Sequence, residues 1–89
     1  MYQIYWLISE SRNKTYIGFT SDIKQRVIYH RLGKVKSTKD FGGFRCFILE
    51  KVLTLKETIK REKYWKSCAG RKKLKKFFNK IYLPPSSSG

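Results

Sequence analysis

An 89-residue chain is long enough for one domain and too short for two, and a fold of this size buries only about 60 to 65% of the surface its unfolded chain exposes. With 40% hydrophobic and 16% aromatic residues it can still build a core without disulfide or metal staples, because each buried aromatic removes a large area from water. The formal net charge of +15, from 21 Lys and Arg against 6 Asp and Glu, implies a polyanionic partner that relieves self-repulsion, and the lack of an apolar run of about 18 residues excludes a spanning helix.

The charge is uneven: 4 basic residues lie in positions 1–30, 8 in 31–60 and 9 in 61–89, and no acid follows Glu62. The C-terminal part is therefore the expected phosphate-facing surface. A lipid surface is the rival partner, but the basic helices carry core-type apolar stripes rather than a membrane face, so nucleic acid is expected and no membrane. No signal-type segment is recognisable, and an intracellular location, cytoplasmic or nucleoid-associated, is the expectation. Cys46 and Cys68 have no Cys or His neighbours at zinc-site spacing and read as small core or surface residues.

In chain order, residues 2–8 place Ile4, Trp6 and Ile8 on one side and Gln3, Tyr5 and Leu7 on the other, which reads as a strand buried on both faces. Residues 9–14 are turn-like, and 15–19 form a second strand that closes an antiparallel hairpin. With an even-numbered connecting loop, Tyr5 and Tyr16 share one face of the sheet. Gly18, on the same strand, relieves crowding there, lets a substrate approach the sheet, or does both.

Thr20 or Ser21 is the expected cap of a first helix, with Asp22 in its positive first turn and Gly33 as its stop. At 100° per residue Ile23, Arg26, Val27 and His30 share a side. Residues 33–43 read as a mobile basic loop carrying Lys34, Lys36 and Lys39, and 44–53 as a third strand.

Thr54 and Glu57 fit a capping box opening a helix over 55–67, on which Leu55, Thr58, Ile59, Glu62, Trp65 and Lys66 share a face with Glu62 at its centre. A carboxylate among apolar neighbours is expensive to desolvate unless a base or a metal compensates it. The last helix is expected from near Gly70, packing Leu74, Phe77, Phe78 and Ile81 and presenting Arg71, Lys72, Lys73 and Lys76 to phosphates. Pro84-Pro85 ends it, and 84–89 has the composition of a disordered tail. The expected class is α+β: one domain over 1–83, a small antiparallel three-stranded sheet flanked by helices in the order β-β-α-β-α-α.

The series Gln3-Ile4-Tyr5, Tyr16-Ile17-Gly18, Ile23-x-x-Arg26-x-x-x-His30 and Arg61-Glu62-Lys63 resembles the GIY-YIG endonucleases, and is similar to their small standalone members and to the catalytic domain of the excision-repair nuclease. The likeness covers 1 to roughly 78, with Gln3 standing where the name-giving first glycine would be. It implies a DNA endonuclease, with RNA an open substrate and a role in repair or recombination. The catalytic set it implies is Tyr5, Tyr16, Arg26, His30 and Glu62, with one Mg²⁺ or Mn²⁺ per site on Glu62 and products ending in a 5′ phosphate and a 3′ hydroxyl. Tyr5, Tyr16, Arg26 and Glu62 are then expected on one concave basic surface, with Arg26 favouring a phenolate. Two alternatives stay open: Arg26 and Glu62 as a purely structural ion pair, and a non-catalytic basic DNA- or RNA-binding module. A partner protein for targeting is compatible with either.

Overall fold

The computed structural model describes residues 1–82, so the proline pair and the tail lie outside the described residues. It shows the expected α+β order: β1 (Tyr2–Ser9), β2 (Thr15–Thr20), α1 (Ile23–Arg31), a single 3-10 turn (Lys36–Thr38), β3 (Phe44–Val52), α2 (Leu55–Lys66) and α3 (Cys68–Tyr82). The sheet is antiparallel with β1 between β2 and β3. As the central strand, β1 buries six consecutive residues, Ile4 to Ser9, because each face of the sheet is covered.

The two faces carry different loads. Ile4, Trp6 and Ile8 meet Trp65 of α2 and Leu74 of α3, joined by Ile17, Phe19, Phe47 and Phe78. On the other face Tyr5 and Leu7 pack with Phe41, Tyr16, Ile23 and Phe44. The hairpin register pairs Tyr5 with Gly18 and Leu7 with Tyr16, so the two tyrosines are diagonal neighbours on that second face.

On the β3 side the ladder slips once: Tyr5 lies opposite Ile48 but Ile4 lies opposite Glu50, leaving Leu49 as the extra residue of a bulge. Glu50 thereby joins the α2 face, where it accepts from Arg61 Nε at 2.5 Å and from Trp65 Nε1 at 3.0 Å. The seating of α2 differs from the expected one. Thr58 and Trp65 are its buried residues, whereas Leu55 and Ile59 are exposed and Glu62 sits on the margin of the packed face rather than at its centre.

Capping sets the helix boundaries. Asp22 itself caps α1, accepting from Gln25 N at 3.2 Å, while Thr20 Oγ1 accepts from Asp22 N; the expected caps one or two residues earlier are thus corrected. At the other end Gly33 takes φ +72, and Lys34 N bonds to Tyr29 O while Gly33 N bonds to His30 O, the paired bonds of a Schellman stop. Thr54 Oγ1 accepts from Glu57 N at 3.2 Å. Ser67 serves two helices, donating to Tyr64 O and accepting from Gly70 N, so α3 begins at Cys68, two residues before the glycine expected to start it. Phe77, expected in the packed stripe of α3, is exposed.

Candidate active site

The face of Tyr5 holds a cluster of polar and aromatic side chains contributed by β1, β2, α1 and the 33–43 segment. Tyr5 has no exposed surface, and its hydroxyl lies 2.9 Å from His30 Nε2 and 3.3 Å from the Arg26 Nε that donates to it. His30, also buried, places Nδ1 2.6 Å from Thr38 Oγ1, and Thr38 donates onward to Val35 O. Assigning the Thr38 proton to Val35 O, 3.4 Å away, makes Thr38 accept from His30 Nδ1–H and leaves His30 Nε2 to accept from Tyr5. The result is a one-directional chain: Arg26 to Tyr5 to His30 to Thr38 to Val35. Tyr16, half-buried, leans on it with its ring 6.1 Å from that of Tyr5 and 5.2 Å from the imidazole.

Gly18 is what makes room for the two phenols. A Cβ there would stand 2.7 Å from Tyr5 Oη and 2.9 Å from Tyr16 Cε2. Of the two readings of this glycine, relief of crowding is the one the contacts express.

Burial decides the protonation of the cluster. Desolvation pushes the Tyr5 phenol up to about 12, outweighing the Arg26 hydrogen bond that pulls the other way, so Arg26 does not make Tyr5 a phenolate. The Tyr5 hydroxyl in turn raises the Arg26 pKa. His30 is held below its ordinary value, first by desolvation and then by the Arg26 charge, which agrees with a neutral imidazole accepting from Tyr5.

A consequence for stability follows. The unfolded chain binds the His30 proton more readily than the folded chain, so this contribution is complete above pH 6.5 and is lost as pH falls through the depressed value. Thermal unfolding between pH 7.5 and 5 should show a loss of up to about 1.4 kcal/mol for each pH unit across that window. His30→Gln should flatten the dependence, and Thr38→Val, which strands a buried N–H, should cost about 1 to 3 kcal/mol at pH 7.5. An unchanged pH slope in His30→Gln would show that other groups carry it.

Glu62 does not join this cluster. It lies on α2, over the opposite face of the sheet, where Lys66 Nζ pairs with it at 3.5 Å. Arg26 and Glu62 form no ion pair with each other, which removes the purely structural pairing as the account of these two residues. Arg61 turns toward β3, whereas Lys66 shares a groove with Thr15, Tyr16 and Ile17, so the Glu62–Lys66 side of α2 looks to the β2 edge. Glu62 thus makes no hydrogen bond or ion pair with Tyr5, Arg26 or His30, while its partner Lys66 lines one groove with Tyr16 at the β2 edge.

Among the described residues no three His, Cys, Asp or Glu side chains gather into a metal cage. Glu62 nonetheless suits a hard cation that keeps most of its water: its side chain is 19% exposed and its one ion pair is with an exposed lysine that can swing away.

Thr38 and Phe41 are the residues that sequence reasoning missed. The segment over 33–43 is not simply a mobile basic loop: its 3-10 turn buries Thr38 against His30, and Phe41 enters the core beside Tyr5. Lys34, Lys36 and Lys39 remain on its exposed side, as Arg71, Lys72, Lys73 and Lys76 do on α3. Cys46 is half-buried on the Tyr5 face, where burial raises its thiol pKa, and Cys68 is exposed; both are free.

Residues 1–76 match the family model described as the GIY-YIG catalytic domain. No curated protein and no solved structure matches the chain.

Proposed function

The chain belongs to the GIY-YIG catalytic-domain family, whose general activity is that of a nuclease, and from that premise we propose that it is a divalent-metal-dependent endonuclease hydrolysing phosphodiester bonds in DNA to 5′ phosphate and 3′ hydroxyl ends. The observation that carries the reading is the Arg26–Tyr5–His30 chain beneath a half-buried Tyr16. Phosphodiester hydrolysis needs an oriented water, an acceptor for its proton and positive charge on the developing phosphorane. Each requirement has a residue here.

Tyr5, sealed from solvent and neutral, is a positioning residue: it holds Arg26 by its Nε, leaving the terminal guanidinium N–H groups for the non-bridging oxygens of the phosphate. Tyr16 is the phenol within reach of water, and in this proposal its oxygen, once its own proton has passed to solvent, orients the nucleophilic water and takes one proton from it. His30 and Thr38 fix the direction of the Tyr5 hydroxyl. Glu62 would hold one Mg²⁺ or Mn²⁺, whose chemistry when bound is to offset charge on the phosphate and the leaving 3′ oxygen. A scissile phosphate lying along the β2 edge meets both groups of residues.

The check is cleavage of labelled single-stranded, flapped and duplex DNA with Mg²⁺ or Mn²⁺. Tyr16→Phe should lower turnover about 100-fold while leaving the melting curve unchanged, in line with the usual contribution of a positioned proton acceptor. Glu62→Gln should abolish the stimulation by metal. Full activity in Tyr16→Phe would sink the phenol assignment; tight binding with no cleavage of any substrate would instead make the chain a binding module on a nuclease fold.

A further inference from the structure

A groove of about 570 Å³ runs between the β2 edge and α3, and its lining combines two chemistries. Arg71 and Lys75 bring two cations and Lys66, paired with Glu62, brings a third, while Tyr16 and Phe78 bring half-buried rings above a floor formed by Trp6. The groove starts at Tyr16, the phenol assigned to the reacting water, and follows α3 away from it. Cations alone serve any polyanion. Half-buried rings interleaved among cations suit a strand whose bases are unstacked and available, because every base has a π-face to lay on the exposed part of a ring and each phosphate between bases needs a positive partner. A duplex keeps its bases stacked inside and has none to offer such a groove.

We propose that this groove seats an unpaired DNA segment adjoining the scissile phosphate, so that single-stranded DNA, free or as a flap, is the substrate class. Its phosphates meet Lys66, Arg71 and Lys75, and at least one base stacks on Phe78. The inference rests on the nuclease reading for the word substrate, but the seating itself does not require cleavage and is measured without it.

The experiment is fluorescence anisotropy in EDTA, at several stated salt concentrations, with three labelled probes: a thymidine 12-mer, an abasic 12-mer of equal charge, and a 12-base-pair duplex. The thymidine strand should bind about 10-fold tighter than the abasic strand, since stacking of one base has that order of effect. Phe78→Leu, which keeps apolar volume and removes the ring, should bring the two strands together. Arg71→Ala should lower the slope of log affinity against log salt for the thymidine strand by about 0.7, the loss of one phosphate contact. Melting curves confirm that both variants are folded. Equal affinity for thymidine and abasic strands, or a duplex that binds as tightly as the single strand, overturns the proposal. Because no divalent ion is present, a protein that shows the preference but never cleaves defeats the nuclease reading alone, and one that cleaves without the preference defeats this inference alone.

Discussion

Gly70→Ala is expected to destabilise the chain by about 3 kcal/mol or more, the upper range for overpacking, because the intruding atom meets backbone that cannot rotate away. A Cβ at Gly70 would stand 2.5 Å from Trp65 Cα and 2.7 Å from its carbonyl carbon, with Tyr64 O closer still. The approach is imposed by the junction: Ser67 is extended, α3 starts on the next residue, and its first turn folds back on the last turn of α2. Separating them would pull Trp65 and Leu74 out of one core cluster. For a domain of this size the melting temperature should fall by about 12 °C or more. Gly43→Ala is the control, since the atoms nearest a Cβ there belong to the side chain of exposed Glu10, which can swing aside. A shift under about 3 °C in Gly70→Ala would show that the junction is looser than this geometry.

The largest effect on activity is expected at Arg26. Its Nε is engaged by Tyr5 and its charge also faces Tyr16, and in the proposed reaction its terminal N–H groups fork the phosphate, so Arg26→Ala removes charge and fork together. Turnover should fall about 1000-fold, the loss typical when one preorganised donor to a developing anion is deleted. Arg26→Lys keeps the charge but cannot hold Tyr5 and fork a phosphate at once, so it should recover only part of that loss. Both variants should remain folded, because the Tyr5 hydroxyl still donates to His30. Single-turnover cleavage beside a thermal melt separates the two effects. Wild-type rates in Arg26→Ala would remove the guanidinium from the mechanism.

Much of this was legible from residue order, and the reasons differ element by element. Ile4, Trp6 and Ile8 alternating with Tyr5 and Leu7 leave few arrangements besides a central strand, and the spacing of Tyr5 and Tyr16 places both phenols on one face once the hairpin closes. Arg26 and His30 follow from one turn of helical spacing. Thr38 was not legible: nothing local marks a threonine among lysines as the partner of a histidine eight positions earlier, and the contact exists only because the Schellman stop at Gly33 swings the chain beneath α1. The seating of α2 was hidden for a related reason. Its apolar residues span a broad sector, and the partners that Trp65 finds, Glu50 and the Ile4–Trp6–Leu74 cluster, all lie on other elements. The neutrality of Tyr5 is likewise a property of assembled packing, since an arginine one hydrogen bond away suggests the opposite until burial is known.

The slipped ladder between β1 and β3 acts as a sorter of charge. In plain alternation the same residues would set Glu50 across from Gln3, on the side of the sheet that carries Tyr5 and Tyr16, and a fixed anion would share the face to which the proposed reaction brings a phosphate. One surplus leucine sends that anion to the far side, where a guanidinium and an indole neutralise its demand for water. The separation of this carboxylate from Tyr5 and Arg26 thus hangs on a single extra residue in one of two paired strands.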